Sequence, residues 1–166
     1  AGYLYVRNFE QHYRTAVDRE LFSVAELKVS DLVRYRNERL ADASYFHRNA
    51  AWSALVQRVF DNPADAEAQA QARDWLGSVQ ANYGYARICL LDAQAAVRIS
   101  VPESPLPAAS VVTRRAAEAL RSGEMVFQDF YRDEHDQRIY LTILVPILGG
   151  PDSGQAPGVL ALQIDP

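Results

Sequence analysis

The sequence predicts an α+β domain, in which a long N-terminal helical segment packs on a five-stranded antiparallel sheet and one more helix lies between the second and third strands. Three observations carry this prediction. From Tyr3 to Asn62 there is neither glycine nor proline, and Arg, Glu, Ala and Leu dominate, which favours helix over most of that length. From Tyr85 onward the hydrophobic period changes to two, in two successive ribbons. The longer ribbon, Met125 to Ile147, has two strand-length runs joined by the polar tip Asp133-Glu134-His135-Asp136.

Bulk properties narrow the class. The 166 residues suit one domain with a sizeable core. Hydrophobic residues at 49% and charged residues at 23% are the usual globular mix. A net charge of -4 argues against a nucleic-acid partner, whose binders carry a basic face. Of the 17 basic residues all but Lys28 are arginine, a skew that fits a GC-rich coding sequence. The single Cys89 excludes an intramolecular disulfide and any paired-cysteine site. No apolar run approaches the roughly 20 residues that span a bilayer. The chain opens on Ala1 and closes on Asp165-Pro166 directly after a strand, so it reads as a soluble piece of something longer.

The N-terminal segment, 1–62, carries a helical stripe through Phe22, Ala25, Val29, Leu32, Val33, Leu40, Ala43 and Phe46. Forty helical residues extend about 60 Å, beyond the width of a domain of this size, so the part from Phe9 to about Arg19 is expected to project. Phe9, Tyr13 and Val17, four residues apart, make it a candidate for pairing with a second copy. Asn62-Pro63 ends the segment and is expected to open the next helix, Asn62 as N-cap and Asp65 against the helix dipole. That helix runs through Trp75, Leu76 and Val79 to Gly84. The sheet core is 85–166.

In the first ribbon, placing Leu91 opposite Ala96 puts Ala86, Ile88, Leu90, Val97, Ile99 and Val101 on one face. Tyr85, Arg87, Cys89, Arg98 and Ser100 fall on the other. Prolines at 102, 105 and 107 make an irregular connection to a helix from about Ala108 to Ser122, stopped by Gly123. In the second ribbon, placing Arg132 opposite Gln137 and Asp129 opposite Tyr140 gives an apolar face of Val126, Phe130, Ile139, Leu141, Ile143 and Val145. The opposite face carries Phe127, Asp129, Tyr131, Arg138, Tyr140 and Thr142. The apolar faces are expected to lie under the N-terminal helix. A flexible loop, GGPDSGQAPG, then leads to a last strand from Val159 to Ile164.

This succession resembles the PAS-like Cache domains, the extracytoplasmic sensors of bacterial histidine kinases, chemoreceptors and diguanylate cyclases. The resemblance rests on YGYARICLLDAQAAVRIS (Tyr83–Ser100), FQDFYRDEHDQRIYLTILVPI (Phe127–Ile147) and GVLALQIDP (Gly158–Pro166), with RYRNERLADASYF (Arg34–Phe46) on the long helix. It is similar to the sensor regions of membrane-bound, multi-domain histidine kinases. One departure is Ala95, where such domains commonly have glycine in the first hairpin. The resemblance implies a single periplasmic sensor domain over 1–166, flanked by transmembrane helices. It also implies output chemistry elsewhere in that protein, while the projecting helix makes a homodimer the expected state of the parent receptor.

Enzyme signatures are missing: there is no GxSxG, no Gly-rich phosphate loop, no HExxH. No cofactor or metal is expected. His12 and His47 read as solvated helix residues, His135 as part of a solvated tip, and Cys89 as a small buried thiol. The expected ligand-binding set is Tyr85, Arg87, Arg98, Ser100, Asp129, Tyr131, Tyr140 and Thr142. Arg87 and Arg98 suit a carboxylate, Asp129 an ammonium group, and the phenols and hydroxyls the rest of a small molecule. The same residues also fit a plain cross-strand ion pair between an arginine and Asp129 on an exposed sheet. Two rival functions stay open: a ligand-free dimerisation or spacer module, and a small hydrolase or isomerase with Asp129 or His135 as general base.

Overall fold

The computed structural model describes residues 2–148 and 156–166, with side chains from Phe22 onward in the first helix. The chain divides into two compact units, Ala1–Ala41 and Asp42–Pro166. Helix α1 spans Gly2–His47. Among its described side chains, Phe22, Leu27, Val29, Leu32 and Val33 are exposed. Phe9, His12, Tyr13 and Val17 lie outside the described side chains, and most of the glycine-rich loop after Leu148 lies outside the described residues. Among the described residues no helix is long and apolar enough to cross a membrane.

The second unit begins inside the last turns of α1, where Ala43 and Phe46 are buried. The breaker-free segment is two helices, not one. Asn49 turns extended and its side chain accepts the Trp52 N–H, starting α2, Ala50–Asp61. Asn62 closes α2 as its C-cap, and Asp65 is the N-cap of α3, Ala66–Tyr83, accepting the Ala68 N–H. The expected cap therefore moves three residues on, to the carboxylate that can reach the free N–H. Gly84 ends α3 at φ 69° as expected.

Five strands follow: β1 Arg87–Asp92, β2 Val97–Val101, β3 Val126–Arg132, β4 Ile139–Ile147 and β5 Gly158–Ile164. Helix α4, Ser110–Ser122, lies between β2 and β3 and is stopped by Gly123. The sheet is antiparallel throughout, in the order β2-β1-β5-β4-β3. Both faces are covered. Cys89, Leu91, Val126, Tyr131, Tyr140, Leu144, Val159 and Ala161 form one cluster with Ala109, Val112, Ala116 and Ala119 of α4. By alternation, Ile88, Leu90, Ile99, Ile143, Leu160 and Leu162 face the other way, and α3 packs against β1 and β2. The buried Phe46, Trp52, Val56, Val59 and Leu76 belong to that helical layer, where Trp52 stacks on Trp75 at 4.2 Å. His47 Nδ1 lies 2.8 Å from the Pro146 carbonyl, and the Ser53 hydroxyl donates to the Leu148 carbonyl.

The register of both ribbons differs from the expected one. In the first, Leu90 pairs with Ile99 and Leu91 with Val97 across an irregularity, so Val97 packs toward α4 instead of away from it; Ala86, just before β1, packs there too. In the second, Val126 pairs with Leu144 and Phe127 with Ile143. A bulge between Gln128 and Tyr131 then shifts the register, so that Tyr131 meets Tyr140 and Arg132 meets Ile139. One unpaired residue reverses the faces of a strand. Val126 thus joins the α4 face, and Phe127 the opposite one. Phe130, at the bulge, is 51% exposed, and Ile139, at the strand end, is 38% exposed. Ala95 adopts φ 58° in the tight first turn, where Asp92 Oδ1 accepts the Gln94 and Ala96 N–H groups.

At Gly158 the backbone itself is the packing surface. A Cβ there would sit 2.4 Å from the Leu91 carbonyl oxygen and 2.7 Å from the Phe60 ring, whereas one on Gly84 would meet nothing. Gly158→Ala is therefore expected to cost about 3 kcal/mol by overpacking, and Gly84→Ala about 1 kcal/mol from its left-handed backbone alone. Urea denaturation of both variants checks this, and equal losses would refute the close approach.

Candidate functional site

The site lies on the α4 face of the sheet, at the end where the 102–109 connection and the β3–β4 tip close over it. Three strands deliver a polar row in register: Arg87 pairs with Gln163, and Gln163 with Thr142. The single polar side chain within β5 is Gln163, so the row interrupts an otherwise apolar face. Tyr131 and Tyr140 sit opposite each other beside it. The Tyr131 hydroxyl lies 2.8 Å from Thr142 Oγ1 and accepts from Gln163 Nε2 at 3.3 Å. Tyr140 donates to Asp136 Oδ2 at 2.7 Å. Burial pushes the Tyr131 phenol up to about 12, which its bonds to Thr142 and Gln163 only partly oppose. Burial likewise raises the Cys89 thiol, leaving it protonated and unreactive at neutral pH.

Arg87 is tied to the connection above it. Its Nε donates to Ser100 Oγ at 2.9 Å, and its terminal nitrogens donate to the carbonyls of Leu106 at 2.6 Å and Pro107 at 3.5 Å. The Ser100 hydroxyl in turn donates to the Pro102 carbonyl at 2.8 Å. Helix α4 has no side-chain cap of its own. Glu134 supplies one from the hairpin tip, accepting the Ser110 N–H at 2.6 Å. That bond holds the Glu134 carboxylate below its ordinary range.

Beneath this cover lie two cavities that share Arg87, Asp133 and Gln163 as walls. The inner one, against Cys89, Tyr131 and Thr142 under Ala109 and Val112, measures about 10 Å3, room for one water. The outer one measures about 180 Å3 and is lined also by Glu103, Ser104, Leu106, His135, Asp136 and Tyr140. Asp133 is 5% exposed; its Oδ1 accepts the His135 N–H at 2.9 Å and its Oδ2 a weak 3.4 Å bond from Gln163. Among the described residues, no group of three or more His, Cys, Asp or Glu is gathered to hold a metal.

Of the expected ligand residues, Arg87, Ser100, Tyr131, Tyr140 and Thr142 come together here. The other three do not. Tyr85 precedes β1 and stacks on Tyr83, which meets Phe46 edge-on in the helical layer. Arg98 pairs with Asp92 at 2.6 Å and lines a separate cleft of about 350 Å3 with Phe60, Gln69 and Gln94. Asp129 is exposed at the bulge and accepts the Phe130 N–H. Sequence reasoning missed Asp133, Gln163 and the carbonyls of Leu106 and Pro107. Gln163 was visible as the one polar residue in GVLALQI; burial of Asp133 at a polar tip left no signal.

No family model matches the chain, and no curated protein sequence does. Solved structures do match in fold. The extracellular domain of a protein named as a histidine kinase, vpHK1S-Z8, superposes with a TM-score of 0.55 at 17% identity, over 81% of this chain and 52% of that one. A domain of a sensory box/GGDEF family protein from Vibrio parahaemolyticus gives 0.54 at 16% identity, over 81% and 54%. The sensory domain of the Campylobacter jejuni chemoreceptor Tlp3, crystallised with isoleucine bound, gives 0.52 at 15% identity, over 79% and 53%. The chain shares its fold with extracytoplasmic sensory domains. It spans about half the length of these structures. The fold agrees with the Cache resemblance read from the strand and turn segments.

The raised Tyr131 pKa makes a pH prediction. A folded value of about 12 against an unfolded value near 10 means that the unfolded chain loses its proton first. The contribution to stability is complete below pH 10 and is lost as the pH rises toward 12. Tyr131→Phe should lower stability at pH 8 by about 1 kcal/mol, through the lost hydrogen bonds. It should also flatten the decline between pH 10 and 12. Chemical denaturation across that range checks both.

Proposed function

We propose that this chain is the extracytoplasmic ligand-sensing domain of a bacterial signal-transduction receptor, a sensor histidine kinase in the leading form of the reading. The 166 residues act as one sensor domain, held at the membrane by flanking helices and paired as a homodimer in the parent receptor. The domain performs no chemistry of its own. It binds a small carboxylate or amino acid beneath the 102–109 connection, and the change in packing passes to the membrane through α1. The observation that carries this reading is the cavity of about 180 Å3 lined by Arg87, Gln163 and Tyr140 at one end of the polar row. It lies in a fold shared with the sensory domain of Tlp3, in which isoleucine is bound. Such a volume falls below the roughly 300 Å3 at which drug-sized pockets begin, so the occupant is small.

One observation favours the rival reading of a ligand-free spacer. The inner cavity is nearly filled, while α1 exposes Phe22, Leu27, Val29 and Leu32 to a potential second copy. A thermal-shift screen of amino acids, dicarboxylates and short fatty acids separates the two. A ligand at 100 times its Kd stabilises by about 2.7 kcal/mol, which for a domain of this size raises Tm by about 5–10 °C. The shift should shrink in Arg87→Ala and stay unchanged in Arg98→Ala and Asp129→Ala, whose side chains lie away from this cavity. A shift unchanged in Arg87→Ala discards that anchor, and the absence of any shift across the screen favours the spacer.

A further inference from the structure

The cleft of about 350 Å3 beside Arg98 shares no wall residue with the two cavities beneath the 102–109 connection. The end of α2, the start of α3, the β1–β2 turn and the residue before β5 enclose it. Its volume reaches the range of roughly 300–1,000 Å3 in which small-molecule sites fall. A braced guanidinium supplies its charge. Asp92 is buried at the end of β1; the Gln94 and Ala96 N–H groups donate to its Oδ1, and Arg98 Nε donates to Oδ2 at 2.6 Å. Burial works to raise the Asp92 carboxyl, but those donors outweigh it and hold it below the ordinary range. Asp92 therefore stays an anion and fixes the guanidinium by its Nε edge. The other edge is open: Nη1 and Nη2 find no acceptor among the described residues, and the Arg98 side chain is 55% exposed. A planar fork held on one edge and free on the other is shaped for a carboxylate.

The remaining walls decide what the carboxylate is attached to. Phe60, Pro63 and Pro157 contribute three rings, and Gln69 and Gln94 two amides. The Phe60 ring is seated on bare backbone, since a Cβ on Gly158 would lie 2.7 Å from it. Asp92 is the one carboxylate in the lining, and Arg98 already pairs with it, so an incoming anion meets no unpaired negative charge. We propose that this cleft is a second ligand site, specific for small aromatic carboxylates: the carboxylate takes the Nη edge of Arg98 and the ring packs with Phe60 and the two prolines. The proposal goes beyond the sensor reading and does not depend on it. A ligand here ties α2 and α3 to the β1–β2 turn, in a part of the unit that the outer cavity does not touch.

Isothermal titration of the 166-residue chain with benzoate, benzamide, benzylamine and acetate tests the site. Benzoate should bind about tenfold or more tightly than benzamide, its neutral counterpart. Benzylamine, of opposite charge, and acetate, without a ring, should give no binding heat. Arg98→Gln should weaken benzoate by about tenfold or more, whereas Arg87→Gln, in the other cavity, retains benzoate binding. Gln94 is an exposed turn residue, and Gln94→Glu sets a carboxylate at the same cleft. It should also weaken benzoate, so the location is tested even if Arg98→Gln fails to fold. Equal binding of benzoate and benzamide overturns the proposal. Benzoate binding that is lost in Arg87→Gln and kept in Arg98→Gln and Gln94→Glu overturns it as well, by moving the ligand to the outer cavity. Absence of benzoate binding overturns it too. The sensor reading, which rests on the outer cavity and its own screen, stands in each of these cases.

Discussion

The hydrogen bonds that β5 makes on both of its edges are what the second unit depends on. The two ribbons, β1–β2 and β3–β4, are local hairpins, and neither touches the other in the sheet. The strand that joins them is the last one in the chain, pairing Arg87–Asp92 on one side and Leu141–Ile147 on the other. Its side chains are split between the layers: Leu160 and Leu162 face away from α4, while Val159 and Ala161 lie under it. Each hairpin alone is marginal in water. The sheet and the polar row are therefore complete only with β5 paired on both edges, and the contacts that complete them are long in sequence.

The polar row explains why the site sits where it does. Arg87, Gln163 and Thr142 come from three strands that meet only through β5, so the row is a product of the whole sheet and of no single motif. The cover above it is fastened twice, by Arg87 to the Leu106 and Pro107 carbonyls and by Glu134 to the Ser110 N–H. Both fastenings pair a charged side chain with a backbone group, the stronger class of hydrogen bond. The hairpin tip thus has two jobs in adjacent positions: Glu134 caps α4, and Asp133 lines the space beneath.

Period-two patterning and breaker residues carried most of the fold. Gly84 and Gly123 stop their helices with positive φ, and Ile88, Leu90, Leu141 and Ile143 are buried as alternation demands. What alternation could not reveal was the bulge between Gln128 and Tyr131. An unpaired residue leaves the composition of a strand unchanged while reversing its faces, so Val126 and Phe127 were assigned to the wrong sides. The site was legible where it followed the regular ladder, at Arg87, Tyr131, Tyr140 and Thr142. It was illegible where tertiary partners decided, as when Arg98 turned to Asp92 and when Asp133 was buried by the 102–109 connection, distant from it in the chain.

The strand order also bears on the integrity of the covalent chain. The 102–109 connection is exposed over much of its length and separates β2 from α4, so it divides the sequence into a piece with α1, α2, α3, β1 and β2 and a piece with α4 and the other three strands. In space the pieces are not divided. The β1–β5 seam crosses between them over six residue pairs, and the bonds from His47 and Ser53 to the end of β4 cross at a second place. A protease nick near Ser104 would cut the backbone and release nothing: the two fragments remain clasped as one particle, to be told apart only after denaturation.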